Sequence, residues 1–156
     1  MADSSSATHP LACSDIAPLF LRACPSFGPA WAEHVDSWEG EEQRGEHLDM
    51  IEIASFIREL LAMPPAQSAD VLRTAFAVIE SVLAEGSESA RRLIEVGLLE
   101  SLQNQCSHVD GLMQLAEGWL GPASQESWQR STVLYEGKDS LMEVVSQVVQ
   151  AQRDAS

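Results

Sequence analysis

The chain has 156 residues, 45% of them hydrophobic, and its 24 acidic side chains against nine basic ones give a net charge of −15. A chain of this length and composition buries enough apolar surface for one globular domain. Its charge disfavours nucleic acid and anionic membranes as partners, because both are bound through lysine and arginine. The charge favours rapid, salt-sensitive association with a cationic partner.

The N-terminal residues do not resemble an export signal. Residues 1–9 are small and polar, which predicts a disordered tail ahead of a domain over 10–156. No run of about 18 apolar residues occurs, so we expect no transmembrane helix. Cys13 and Cys24 lie at the two ends of one predicted helix, about 16 Å apart and too far for a disulfide. With Cys106 as a third, odd cysteine, we expect reduced thiols and a cytoplasmic protein.

The first predicted elements are two short helices. The first covers 14–24, with Ser14 as its N-cap and Pro25 as its stop. The second covers 29–38, because Pro29 favours the first turn of a helix.

Two longer helices follow with strong apolar periodicity. One begins at Glu46 and is ended by the Met-Pro-Pro sequence at 63–65, because proline disfavours helical geometry in the residue before it. The next is expected to be capped by Ser68 or Asp70 and to close at Gly86.

The second half of the chain contains shorter elements. Ser87 is expected to cap a fifth helix, which Gly97 breaks or bends. A short apolar helix then ends at Gly121, and a polar link over 123–139 precedes a last helix over 140–155.

This count of seven or eight helices with short loops predicts an all-α fold: one compact helical bundle with partly α-solenoid-like helix pairs. No fixed repeat period covers the chain, so a true repeat array is not expected. The helical periodicity assigns to the core Leu48, Ile51, Phe56, Ile57, Leu60, Phe76, Ile79, Leu83, Leu93, Leu99 and Leu102.

The sequence offers no pattern of an enzymatic or metal site. The spacings of zinc, calcium and phosphate motifs do not occur. Cys106, His108 and Asp110 are close in sequence, but their i, i+2 spacing points neighbouring side chains apart. Glu95 follows the arginine pair 91–92 at i+3 and i+4, which predicts an ion pair within one helix. We therefore expect no catalytic residue, metal or cofactor, and predict that the protein acts by binding.

The stretch "EHVDSWEGEEQRGEHLDMIE", residues 33–52, concentrates negative charge. It holds eight carboxylates and one arginine, so it carries seven of the fifteen net negative charges. Such a cluster fits a loosely held divalent cation, an acid/base pair or a surface that meets a basic partner. The glycine-bracketed loop 40–45 lacks the rigidity of a tight metal site, and a purely solubilising face remains an alternative to recognition.

A recognition surface in this stretch would combine exposed carboxylates with an aromatic anchor. Acids there steer a basic partner toward the surface, and Trp38 is the candidate anchor, because buried aromatic residues dominate binding energy. The predicted partner-binding residues are Asp36, Trp38, Glu39, Glu41, Glu42, Glu46 and Asp49.

Three segments carry a resemblance to a known group of proteins: "FGPAWAEHVDSWEGEE…HLDMIEIASFIRELL", "AFAVIESVLAEGSESARRLIEVGLLESLQNQ" and "WLGPAS". Over roughly residues 20–125, the chain resembles small bacterial all-helical domains of unknown biochemical function. Arg91 and Arg92 depart from the polar asparagine of that group. Some of its members resemble immunity proteins of polymorphic or contact-dependent toxin systems. The resemblance implies a protein that binds and neutralises a toxin by covering its basic surface or active site.

Two rival functions stay open at this point. A helical scaffold or adaptor would bind its partner through an apolar groove between helices, with weak dependence on salt. A metal-dependent enzyme would use the acids as ligands. Under the preferred hypothesis the partner is a basic toxin domain, and the protein is a monomer or a homodimer through the valine-rich face 141–149.

Overall fold

The computed structural model describes the backbone of residues 9–38 and 45–155, and the side chains of these residues outside 132–146 and 155. This part of the chain forms a single compact domain of eight α-helices without a β-strand, which confirms the predicted all-α fold. The disordered tail predicted for residues 1–9 falls almost entirely outside the described residues. The elements are α1 (Cys13–Ala23), a 3₁₀ turn (Pro25–Phe27), α2 (Gly28–Ser37), α3 (Glu46–Ala62), α4 (Pro65–Glu85), α5 (Glu88–Arg92), a π-helical segment (Leu93–Leu99), α6 (Glu100–Ser107), α7 (Leu112–Glu117) and α8 (Pro122–Ala155).

Helix α3 lies at the centre of the domain and contacts α1, α2, α4, the π-helical segment, α6 and α7. Eight of the predicted core residues are buried: Phe56, Ile57, Leu60, Phe76, Ile79, Leu83, Leu99 and Leu102. Leu48, Ile51 and Leu93 are only partly buried. On α3 the buried face is centred on Met50, Ile53 and Ile57, so Leu48 and Ile51 lie on its flanks.

The N-terminus of α1 differs from the prediction. The helix begins at Cys13, with Ala12 rather than Ser14 at the cap position, and the Asp15 carboxylate accepts the Ala12 N–H at 2.8 Å. Just before it, the Leu11 carbonyl accepts the Ser87 N–H at 2.8 Å. The start of α1 is therefore fastened to the turn between α4 and α5.

Helix α4 starts earlier than predicted. It begins at Pro65, directly after Pro64, because proline fits the first helical position, whose N–H has no partner within the helix. Ser68 is buried inside the first turns instead of capping them. The predicted end at Gly86 is observed, and Ser87 caps α5 by accepting the Ala90 N–H at 3.1 Å.

Gly97 does not break its helix. Residues 88–107 stay helical throughout, with a π-helical segment around the glycine. A Cβ atom at Gly97 would lie 3.0 Å from Cγ of Met50, so α3 approaches this segment at the glycine. The close contact, rather than a chain break, accounts for glycine at this position.

The predicted polar link over 123–139 is wrong, because α8 runs without interruption from Pro122 to Ala155. Its 34 residues span about 51 Å at 1.5 Å per residue. Among the α8 side chains that the structure describes, the buried ones are Ser124, Ser127, Trp128 and Ser131. These follow helical spacing, but three of the four are serine, so a hydrophobic pattern cannot reveal the stripe. Farther along, Val148 and Val149 of the valine-rich face are 52% and 41% exposed.

Candidate recognition surface

The acidic stretch brackets the junction between α2 and α3. Glu33 and Asp36 are exposed on α2, and Glu46 is exposed in the first turn of α3. Trp38 caps the C-terminus of α2 and is partly buried. The remaining predicted contact residues, Glu39, Glu41 and Glu42, lie outside the described residues.

The exposed acids of this junction form no ion pair with the basic side chains that the structure describes. Among residues 9–38, 45–131 and 147–154, no arginine or lysine pairs with Glu33, Asp36 or Glu46. We call the surface formed by these three carboxylates and Trp38 the acidic surface. It leaves negative charge available to a partner.

Asp49 has a different place from the other predicted contact residues. It is buried, and its Oδ1 lies 2.9 Å from Nε2 of His34 on α2. The other ring nitrogen of His34, Nδ1, lies 3.5 Å from Oε1 of Glu52. This corrects the expectation that Asp49 belongs to the exposed surface. Asp49 lies next to Met50 among the buried residues of α3, and its carboxylate contacts α2 through His34.

Aromatic packing completes the attachment of α2. The ring of Trp31 lies 5.8 Å from that of Phe27 and 5.4 Å from the imidazole of His34, between ring centroids. The ring of Phe27 in turn packs at a tilt against that of Phe56 on α3, with 4.8 Å between ring centroids. Sequence reasoning missed His34, although Asp49 and Glu52 share one face of α3 at i, i+3 spacing and call for a basic partner.

A second feature is a groove between α8 and the helix formed by α5 and the π-helical segment. Its volume is about 550 Å³, within the range of ligand sites. Leu83, Val96 and Ala123 contribute apolar surface. Most of the lining is charged and comprises Glu88, Arg91, Arg92, Glu95, Glu100, Glu126 and Arg130.

Two side chains of α8 hold the Glu95 carboxylate in this groove. Its Oε2 accepts a hydrogen bond from the Ser127 hydroxyl at 2.8 Å and pairs with the Arg130 guanidinium at 2.7 Å. The ion pair predicted from sequence, with Arg91 or Arg92 in the same helix, does not form in the described part of the chain. Because α8 packs alongside, Glu95 finds its partner on the neighbouring helix.

The "WLGPAS" segment that carries part of the resemblance has a structural task. Gly121 packs against the Glu80 carboxylate, which accepts the N–H groups of Ala123 at 3.0 Å and Ser124 at 2.8 Å. The Ser124 hydroxyl accepts the Gly121 N–H at 2.9 Å. A side chain of α4 thus caps the start of α8.

The cysteine and histidine near 106–110 do not meet. Cys106 is buried, and burial raises the pKa of its thiol to about 11, with Arg58 opposing the shift. His108 and Asp110 are exposed. Over the described ranges, no three His, Cys, Asp or Glu side chains are arranged to hold a metal ion, and no helix has the length and apolar composition needed to cross a bilayer.

Comparison with known proteins identifies the family of this chain. A family model described as a domain of unknown function, DUF7674, covers residues 17–136, from α1 into α8. No curated protein and no solved structure matches the chain.

Proposed function

This chain belongs to the DUF7674 family, and we propose that it is an acidic protein-binding module: an immunity protein that binds and neutralises a cognate bacterial toxin. The partner under this proposal is a basic toxin domain. The module covers a basic surface or active site and performs no catalysis of its own.

The observation that carries the proposal is the exposed negative charge of the acidic surface, whose three carboxylates form no ion pair within the described residues. Glu33, Asp36 and Glu46 flank a segment that holds three further glutamates, and the whole stretch 33–52 carries seven of the fifteen net negative charges. Toxins that act on nucleic acid bind phosphate through lysine and arginine. Closely spaced carboxylates imitate those phosphates and compete for the same basic groups.

The proposed encounter has two stages. The field of the acidic surface first accelerates association with the basic partner, an effect that salt screens. Trp38 then enters a pocket of the partner, because an aromatic side chain at the centre of an interface supplies much of the binding energy. The partial burial of Trp38 leaves part of its ring for such a contact.

The experiment compares two charge-reversed variants of the full chain. The partner is the product of the neighbouring gene, co-expressed and co-purified with this protein. Asp36→Lys/Glu46→Lys alters the acidic surface, and the matched control Glu88→Lys/Glu126→Lys makes the same charge change in the groove. We expect the first variant to weaken binding at least about tenfold, since close interfacial charge pairs are worth about 1.5 kcal/mol or more. The control should retain affinity within a few fold.

The groove supports a second candidate, the adaptor that binds through a groove between helices. The groove is large enough for a ligand or a side chain of a partner, but its lining is mostly charged, whereas an adaptor of this kind would have an apolar groove. If the groove variant loses binding while the acidic-surface variant keeps it, the adaptor replaces the immunity protein as the preferred function.

A further inference from the structure

We propose that the groove between α8 and the helix formed by α5 and the π-helical segment binds a short peptide segment that carries one acidic and one basic side chain. Arg91 and Arg92 receive the acid, Glu126 receives the base, and Val96 contacts an apolar side chain of the same segment. The groove shares no residue with the acidic surface, so this inference does not rest on the proposed function.

Basic side chains are concentrated in this groove. Three of the nine lysine and arginine residues of the chain line it, namely Arg91, Arg92 and Arg130, although the chain as a whole carries a net charge of −15. Because four glutamates also line the groove, three positive and four negative side chains give it a formal net charge of −1. An acidic group of a ligand therefore meets far less repulsion here than the net charge of the molecule suggests.

One ion pair already uses two of these charges, and the other two arginines are left for a ligand. Arg130 pairs with Glu95 at 2.7 Å. Arg91 and Arg92 are exposed, and neither forms an ion pair with any side chain that the structure describes. A guanidinium binds a carboxylate through two parallel hydrogen bonds, so these two arginines suit the acidic side chain of a peptide.

The π-helical segment forms one wall of the groove. Segments of this kind are rare and often lie at functional sites. Gly97 faces inward, where an added Cβ would lie 3.0 Å from Cγ of Met50, whereas Val96 is 45% exposed and lines the groove. Leu83 and Ala123 add further apolar surface. An apolar side chain of a ligand therefore finds contacts beside the charged groups.

The presence of both signs of charge selects the ligand. Ligands rich in phosphate meet four glutamates, and a wholly basic segment meets the arginines. A segment with one charge of each sign avoids both conflicts, because its base can pair with Glu126, which is exposed and forms no ion pair among the described side chains. The volume of about 550 Å³ lies within the range of sites for drug-sized ligands and accommodates a short peptide.

The test titrates the isotope-labelled full chain with the peptide acetyl-Glu-Leu-Ala-Arg-amide and follows the backbone amide signals by NMR. At about 5 mM peptide, where even a millimolar Kd leaves most of the protein bound, the signals of residues 91–96 and 123–130 should shift. Peptides in which glutamine replaces the glutamate or the arginine should bind about three- to tenfold more weakly, the loss expected for one charge pair. Inorganic phosphate at the same concentration should shift these signals less.

Variants at exposed positions assign the contacts. Arg91→Gln/Arg92→Gln should weaken binding of the peptide with both charges about three- to tenfold, and should not change the affinity for the peptide that lacks the glutamate. Glu126→Gln should weaken binding of the peptide with both charges in the same way. The control Arg22→Gln/Arg73→Gln makes the same charge change on α1 and α4 and should keep the wild-type affinity. Unchanged α3 amide signals verify that each variant is folded.

Three results would overturn the proposal. The first is the absence of shifts in the groove with the peptide that carries both charges. The second is equal affinity of the wild type and Arg91→Gln/Arg92→Gln for that peptide. The third is binding of inorganic phosphate as strong as that of the peptide, since the groove would then be a plain anion site.

Discussion

At the scale of single residues, Gly121 shows how tightly the two halves of the domain are joined. A Cβ atom there would stand 2.5 Å from Cδ of Glu80. That carboxylate occupies the space because it accepts two N–H groups at the start of α8. Glycine therefore leaves room for the Glu80 carboxylate, which a side chain at this position would have to displace, and positive φ plays no part.

We predict that Gly121→Ala destabilises the protein by about 1 to 3 kcal/mol, through overpacking and displacement of the Glu80 cap. Gly28→Ala is the matched control, because Gly28 has helical dihedral angles and no atom within 4 Å of an added Cβ. The control should be neutral or stabilising by up to about 1 kcal/mol. Urea unfolding measures both, and equal stabilities would contradict the assigned role of Gly121.

Cys106 gives a second test at this scale. Burial raises its thiol pKa to about 11, so the reactive thiolate is scarce at neutral pH and the sulfur is covered. We expect a thiol reagent at about pH 8 to modify Cys13, which is only partly buried, well before Cys106. Mass spectrometry identifies the modified site. Denatured protein should react at all three cysteines, and rapid modification of Cys106 in the folded protein would contradict its burial.

At the scale of elements, the sequence predicts well those helices whose buried stripe is apolar. Helices α3 and α4 follow from the spacing of residues such as Phe56 and Ile79. The first half of α8 does not, because its buried stripe is mostly serine and its cap, Glu80, is 43 residues away from Ala123. A contact between helices that are far apart in sequence leaves no local pattern in the chain.

The same reasoning explains which parts of the site were predictable. The exposure of Asp36 and Glu46 follows from the polarity of their surroundings. Asp49 was misplaced because its orientation depends on how α2 and α3 pack against each other. A shift of one position along a helix turns a side chain by about 100°, which is enough to exchange exposure for burial, and only the tertiary structure fixes this rotation.

Trp128 tests the attachment of α8. It is 2% exposed, and its indole N–H donates to the Glu117 carboxylate at 3.2 Å. We predict that Trp128→Ala lowers the free energy of unfolding by about 3 to 5 kcal/mol, the usual loss for a buried aromatic residue. Trp38→Ala is the control and should destabilise far less. If both variants lost a similar free energy of unfolding, the packing of Trp128 would not stabilise the fold more than that of Trp38.

At the scale of the whole molecule, the distribution of charge decides between recognition and solubility. Reversing Glu39, Glu41 and Glu42 to lysine takes the net charge from −15 to −9. We predict that this triple variant slows association with a basic partner while stability stays unchanged or rises slightly, because self-repulsion falls. Raising the salt concentration should slow the wild type similarly, since the screening length is only about 8 Å at physiological ionic strength.

Stopped-flow association rates and thermal unfolding together check this prediction. If the association rate of a co-purified partner changes neither with the triple reversal nor with salt, the acidic stretch is a solvated face and not a recognition surface. Trp38→Ala should instead raise the dissociation rate and leave association nearly unchanged, as the loss of an anchor does.

The most direct measurement of the central claim is the hydrogen-exchange footprint of the co-purified partner on this protein. We predict new amide protection over α2 and the first turns of α3, the elements that bear Asp36, Trp38 and Glu46. Protection confined to α5, the π-helical segment and the start of α8, with α2 unchanged, would place the interface in the groove and contradict recognition through the acidic surface.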